Sequence, residues 1–476
     1  MDRRFRQIGI VSLVIACTAW SAFAQDESST AGRGTVYTLS ECVTIALAGS
    51  PSLAISEANT DIARHGVRQA WGAFLPDFSV SRTWNKSERT DFDVAQTDPG
   101  VIQLPTTDPL ITVPWQTQFP NGLIADQTTN SSYQDYGMSS NWNLFSGFSK
   151  FGGLKSSRND LHASEASQAY SRQLVIQNVV VAFVKLLRDE RLLEVKRDAE
   201  ELAQRELEKS ETYHRIGSAA KSDVLQAKVR LEQTRLDVIR ARNAAEQSFA
   251  ELAHSMNRPL ANRFDVDPSL MESGLDIAHL ETLFDEALTN RQDLHSREYQ
   301  VEARKGDVTS AGANLLPRID LFARYSRYEN ESPFRFGAQK SDNFSYGYQV
   351  NWNVFDRFQT LSSRSQAKAR QRIAEYNLDQ AMLDVQLEVR QLYNAQVEAR
   401  ERVSLARETI INAEEELRLA QERFRVGAGT MLDRITAQVN LATARGEEVS
   451  ALADFVVVSM QIDRAIGRSL DGLLEQ

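Results

Sequence analysis

The sequence predicts a mainly α protein with a smaller β part, built as a duplicated unit in which short strands lead into very long helices. Three observations predict it. The chain repeats itself at a nearly constant offset. Its prolines are confined, leaving long proline-free segments rich in helix formers. Just ahead of those segments, aromatic and polar residues alternate in short runs.

The repeat is legible residue by residue. Residues 46–80 realign on 287–321 at an offset of 241, pairing Ala46-Leu47 with Ala287-Leu288, Leu53 with Leu294, Glu57 with Glu298 and Leu75-Pro76 with Leu316-Pro317. From Tyr136 the offset is 210: Asn141-Trp142-Asn143 meets Asn351-Trp352-Asn353, Phe145 meets Phe355, Gly217 meets Gly427 and Asp223 meets Asp433. The drop from 241 to 210 is one insertion of 31 residues between Pro76 and Asn141. Units this long exceed solenoid periods of ~20–50 residues, so a whole domain is duplicated. The expected organisation is residues 1–24 a signal peptide, 25–256 a first repeat, 257–286 an inter-repeat segment, 287–470 a second repeat and 471–476 a tail.

The N-terminus carries the marks of export. Arg3, Arg4 and Arg6 precede an apolar core from Ile8 to Trp20, and Ala22-Phe23-Ala24 offers a small-x-small cleavage site before Gln25. Val14-Ile15-Ala16-Cys17 offers a second cut that would leave Cys17 lipid-modified. After cleavage at Ala24 only Cys42 remains of the two cysteines, so no intrachain disulfide is possible. The net charge of −10 becomes −12 once three Arg and one Asp leave with the signal. That acidic balance argues against nucleic acid as a partner.

Five of the eleven prolines (Pro99, Pro105, Pro109, Pro114 and Pro120) lie in the insertion; none occurs from 121 to 258 or after Pro333. A proline inside a helix costs roughly 3 kcal/mol, so these gaps admit uninterrupted helices, expected at 152–216, 219–256, 360–426 and 430–466, with shorter ones at 46–72 and 287–313. Leu378, Met382, Val385, Val389 and Leu392 step by 4, 3, 4 and 3, a coiled-coil seam, and Val179, Phe183, Leu186 and Leu193 do the same in the first copy. At 1.5 Å per residue the two longest helices would each reach ~100 Å. No compact core needs such lengths; they build a rod, a hairpin or a tube.

Strands are expected at 77–85, 136–145, 318–328 and 346–355. Tyr136, Met138, Trp142 and Leu144 alternate with polar residues, as do Tyr346, Tyr348, Val350, Trp352 and Val354. Such alternation fits a strand with an apolar face towards lipid and a polar face towards a lumen, and equally a half-buried soluble strand. Closing a barrel takes about eight strands or more, so four would have to be pooled between subunits.

At this point the chain closely resembles the TolC-like outer-membrane channel family, the outer membrane factors. The resemblance is carried by Phe74-Leu75-Pro76 and Leu315-Leu316-Pro317 ahead of strands, and by Asn-Trp-Asn-x-Phe at 141–145 and 351–355. The hairpin turns add Tyr213-x-Arg215-x-Gly217-x5-Asp223 and Phe424-Arg425-x-Gly427-x5-Asp433. It spans about residues 40 to 470. The resemblance implies a homotrimer whose three chains give four strands each to a transmembrane β-barrel, continued in the periplasm by a long α-helical coiled-coil barrel. It also implies a periplasmic adaptor protein and an inner-membrane transporter as partners, within an efflux or type I secretion system, besides outer-membrane lipid. A periplasmic coiled-coil scaffold without a pore is the alternative, using the same helices with soluble strands.

No catalytic constellation, cofactor motif or metal spacing is present. The six histidines show no HExxH, and Gly427-Ala428-Gly429 lacks the third glycine of a phosphate loop. The expected functional residues are therefore surfaces. Gly217 and Gly427 suit the left-handed position that ends a helix, and the resemblance makes them, with Arg215 and Arg425, adaptor contacts. Asp433 and Asp223 stand a few residues into the returning helices, where a carboxylate favours a helix start. In a trimer Asp433 would form a carboxylate ring at the tip. The family often has a second carboxylate at the position of Thr436, whose absence here weakens the acidic gate. Glu414-Glu415-Glu416 reads as a solvated helix face, and the insertion as an extracellular loop.

Overall fold

The computed structural model describes residues 36–93, 101–103, 112–114, 125–259, 263–269, 275, 277, 279–331 and 339–468. The expected signal peptide with Cys17, most of the proline-bearing insertion, much of 257–286 and the 471–476 tail lie outside the described residues.

In chain order the elements of the first copy are β1 (Val36–Tyr37), α1 (Leu39–Gly49), α2 (Pro51–Gly72), β2 (Asp77–Asp93), β3 (Val101–Gln103), β4 (Thr112–Pro114), β5 (Ala125–Ser146), α3 (Ser149–Arg215) and α4 (Lys221–Ser255). After β6 (Asp265–Val266), which pairs with β1, the second copy runs α5 (Leu280–Asn290), α6 (Gln292–Ala311), β7 (Arg318–Glu331), β8 (Gln339–Asn351), α7 (Gln359–Arg425) and α8 (Met431–Ala465). α3 and α7 both have 67 residues and α4 and α8 both 35, so the long hairpin is copied without a residue gained or lost.

Most of the coiled-coil positions lie in the buried clusters. Val179, Phe183 and Leu186 are fully buried, against Cys42, Val43, Ala46, Leu252 and Met256. Val385 and Val389 pack with Leu283, Leu294, Ile462 and Ile466. Burial pushes the Cys42 thiol up to about 12, which keeps it protonated and unreactive.

The short helices differ from expectation. The span 46–72 is two helices, α1 and α2, broken at Ser50. Pro51 disfavours the helical conformation in the residue before it; Ser50 is extended (φ −72°, ψ 116°) and its hydroxyl caps the Leu53 N–H. The span 287–313 is likewise α5 and α6, broken at Arg291 (φ −68°, ψ 122°) with no proline. Here the break is held by tertiary ties: the buried Arg291 guanidinium donates to Asp293 (2.9 Å), Glu388 (2.6 Å) and the Ala465 carbonyl (3.3 Å).

The sheet is antiparallel, in the order β2-β5-β7-β8, so the two copies meet at β5 and β7. β2 and β5 outrun their expected 77–85 and 136–145 because the insertion continues the ladder, from Lys86 opposite Ser132 to Asp93 opposite Ala125. β7 ends at 331 instead of 328. β8 is shifted from the expected 346–355 to 339–351. Its ladder stops where Asn351 faces Arg318, because Pro317, next along that side, has no N–H to donate. Trp352 and Val354 therefore follow the strand instead of belonging to it.

α3 and α6 cross at glycines. A Cβ on Gly306 would lie 2.7 Å from both the Gly152 carbonyl oxygen and the Ser156 nitrogen. Gly306→Ala is expected to destabilise by about 1–3 kcal/mol through overpacking, whereas Gly66→Ala in α2, with nothing within 4 Å, should be neutral or slightly stabilising. Denaturation midpoints of the two variants check this.

Candidate functional site

The sheet has two unlike faces. Phe78, Val80, Tyr136, Met138, Trp142, Leu144, Tyr346, Tyr348 and Val350 are all exposed, with Tyr346 at 76% and Tyr348 at 74%. The ladder sets most of them in rows on one side: Phe78–Ser140–Ala323–Tyr346, then Val80–Met138–Tyr325–Phe344. Leu144 follows at the bulge between Asn143 and Phe145. Trp352 and Val354, beyond the strand, are exposed too. The other face carries Asp77, Ser79, Ser81, Ser139, Asn141, Asp320, Arg324, Ser345 and Gln349. Among the described residues neither β2 nor β8 has a partner on its outer edge.

The Asn-Trp-Asn motifs have a structural reason. The Trp142 indole N–H donates to the Phe74 carbonyl (2.9 Å), and the Trp352 indole to the Leu315 carbonyl (3.3 Å). Each tryptophan thus ties the exit of one strand to the Phe74-Leu75-Pro76 or Leu315-Leu316-Pro317 entry of its neighbour, with ring exposed and N–H satisfied. Two consecutive left-handed residues then turn each strand into its long helix, Gly147-Phe148 (φ 60° and 72°) and Arg357-Phe358 (φ 55° and 65°). Phe145 against Phe148 and Phe355 against Phe358 pack edge to face at 86° in both copies.

At the far end, Gly217 (φ 80°) and Gly427 (φ 77°) close α3 and α7. Ser218 N–H donates to Tyr213 O and Gly217 N–H to His214 O; Ala428 donates to Arg423 O and Gly427 to Phe424 O. This double bond pattern satisfies carbonyls the helix leaves open. Arg215 and Arg425 end the two helices, Arg425 paired with Glu422 at 2.7 Å.

Asp433 is built into a helix start. Its carboxylate accepts the Thr430 N–H (2.8 Å) while the Thr430 hydroxyl accepts the Asp433 N–H (3.2 Å), a reciprocal capping box. The backbone N–H and hydroxyl of Thr430 hold the Asp433 carboxyl below the usual carboxylate range. A lowered folded-state value means that the cap contributes fully above the unfolded carboxylate value and is lost as pH falls through the folded one. Acid-induced opening of the Thr430 amide is therefore expected in the wild type and not in Asp433→Asn, whose uncharged amide oxygen accepts the same N–H at every pH; hydrogen exchange against pH measures it. Asp223 holds the equivalent place with a longer bond from Ala220 N–H (3.3 Å), and Ala220 has no hydroxyl to return it. The two aspartates sit on different hairpins.

Asp433 and Thr436 share a cleft with Glu415, Glu416 and Arg423. The Thr436 hydroxyl donates back to the Leu432 carbonyl (2.9 Å). The Glu414–Glu416 face is more than solvated surface: Glu414 pairs with Arg445 (3.0 Å) and Glu416 accepts from Asn440 (3.1 Å), tying α7 to α8.

A feature the sequence reading missed joins the two hairpins. Arg434 of α8 and Glu206 of α3 form an ion pair with both residues about 95% buried, and the guanidinium lies 4.5 Å from the Phe424 ring centre. The one signal for it is a charge interrupting each apolar stripe, Glu206 beside Ala203 and Leu207, and Arg434 between Met431 and Ala437.

Comparison with known proteins identifies the fold and the family. The alkaline protease secretion protein AprF of Pseudomonas aeruginosa is 22% identical over 304 residues, 62% of either chain, so the match spans less than two thirds of that relative. The outer membrane protein TolC of Vibrio cholerae is 22% identical over 64% of this chain and 70% of its own. The crystal structure of VceC, an outer membrane protein of Vibrio cholerae, superposes with a TM-score of 0.71 over 90% of this chain and 96% of that one at 17% identity, which establishes the fold. The family described as outer membrane efflux protein matches residues 43–258 and 283–468, one stretch in each copy; the chain belongs to that family, and its place is the outer membrane.

Proposed function

We infer that the protein is the outer-membrane exit duct of a tripartite efflux or type I secretion system, a homotrimer conducting passively from a periplasmic adaptor and an inner-membrane transporter to the exterior. The observation that carries this is the four-stranded sheet, apolar on one face, polar on the other and open at both edges. Four strands are too few to close, and an exposed apolar face beside two free edges is satisfied by lipid and by two further copies. The helices agree. Leu225, Val229, Leu236 and Ile239 on α4 and Ile373, Tyr376, Leu383 and Leu387 on α7 are exposed at heptad spacing, unfilled seams for neighbouring chains.

In this reading Tyr136, Met138, Trp142, Leu144, Tyr346, Tyr348, Val350, Trp352 and Val354 meet lipid. Arg215, Gly217, Arg425 and Gly427 meet the adaptor. Asp433, Thr436 and Asp223 line the periplasmic gate, with the acidic cleft around the first two; Asp223 belongs to the other hairpin, so its replacement should matter less. The relatives are named for protein secretion, solvent efflux and pyoverdine export alike, which fits a shared duct whose cargo is chosen by the transporter. Asp433→Asn should reduce cation preference, read from reversal potentials in planar bilayers, with trimer assembly intact. An unchanged reversal potential would assign Asp433 to capping only. Discrete conductance steps from the wild type separate a duct from a poreless scaffold.

A further inference from the structure

Between the hairpins, one turn above the buried Arg434–Glu206 pair, α3, α4 and α8 border a half-open cavity of about 50 Å³, lined by Asp198, Leu202, Arg230, Gln438, Leu441 and Arg445. A single water needs only ~10–15 Å³ of such space, so the cavity has room for a monatomic ion with a water beside it. Gln438 is 6% exposed and its Nε2 has no hydrogen-bond partner; one turn earlier on the same helix the Nε of Arg434 has none either. Both orphaned atoms are donors, and a buried donor left unpaired costs about 1–3 kcal/mol. Arg230 has no carboxylate within 4 Å among the described residues, and burial disfavours its charge. Arg445 is already paired with Glu414 (3.0 Å), and Asp198 is the one acid in the lining. The lining thus sets two guanidinium groups against one carboxylate, and no acceptor reaches the Gln438 amide.

We propose that this cavity binds one halide-sized anion, chloride in the cell, held by the Gln438 amide and the Arg230 guanidinium. Bound there, the anion joins α4 of the first hairpin to α8 of the second and favours the packed arrangement of the two. Neither the binding nor its test depends on what the duct carries.

The test uses the detergent-solubilised full-length protein. Crystals grown in bromide should show an anomalous peak beside Gln438, absent in Arg230→Leu. At fixed ionic strength, amide exchange across residues 434–442 should be several-fold slower in sodium chloride than in sodium gluconate, whose anion is too large to enter. Gln438→Glu brings its own carboxylate at almost unchanged shape, so it should be slow in both salts and show no bromide, even if Arg230→Leu folds poorly. No bromide peak in the wild type, or equal exchange in the two salts, means that water alone fills the cavity and overturns the proposal.

Discussion

Tyr348→Arg is expected to keep the protein out of the outer membrane, while Gln349→Arg, one residue further on, leaves assembly close to normal. Tyr348 lies on the apolar face of β8, 74% exposed, between Tyr346 and Val350 and so well inside the band that starts at Phe344. An arginine facing lipid near the bilayer midplane costs about 2–4 kcal/mol, and a trimer carries three, for roughly 6–12 kcal/mol in all. Gln349 shares the opposite face with Asp320, its ladder partner, and Arg324, where an added cation meets water and carboxylate. Outer-membrane fractionation, with the amount of trimer scored in each variant, reads the difference. Equal insertion of the two would mean that the aromatic face does not meet lipid.

The second large effect is expected at the tip. Glu206→Gln leaves the Arg434 charge buried without its counter-ion, and breaking such a pair from one side costs about 3–5 kcal/mol. Both side chains are 6–7% exposed, so little of that is screened by solvent. Arg434→Met should be similarly severe, and it also removes the contact with Phe424. The double variant Glu206→Leu with Arg434→Met should recover most of the loss, because an apolar pair of similar volume often matches a buried ion pair. Hydrogen exchange at residues 203–210 and 431–438 reports the loosening, and more frequent channel openings in planar bilayers would accompany it. If the double variant is as loose as the sum of the singles, Arg434 and Glu206 act independently and do not form a clasp.

What the sequence made legible was local and periodic. The heptad steps at 378–392 and 179–193 are fixed by neighbours within two turns, and those residues are the ones found packed. Gly217 and Gly427 were readable because only the end of a helix demands a left-handed residue at that spacing. The break at Ser50 carried a local signal in Ser50-Pro51, outweighed by the helical pattern on either side; the break at Arg291 has no proline, and the ties that hold it include Glu388 and the Ala465 carbonyl, 97 and 174 residues away. The strand extensions at 86–93 and 125–132 escaped notice because polar residues fill them where aromatic alternation marks the rest. Glu206 and Arg434 are 228 residues apart, and no single-sequence period connects them. Of the surfaces, the aromatic faces and the tips could be named in advance, but not the tryptophan indole ties, which depend on two distant carbonyls.

The order β2-β5-β7-β8 also bears on how a ring would count its joints. Within one chain the second strand of the first copy lies against the first strand of the second copy, β5 on β7. Between chains of the proposed trimer the joint would be β8 on β2, again the second strand of one copy against the first strand of the other. Six copies then meet head to tail through six joints of one kind, three of them covalently tethered and three not. Dilution would act only on the untethered three, so the proposed ring would have pseudo-sixfold geometry but the concentration dependence of a trimer.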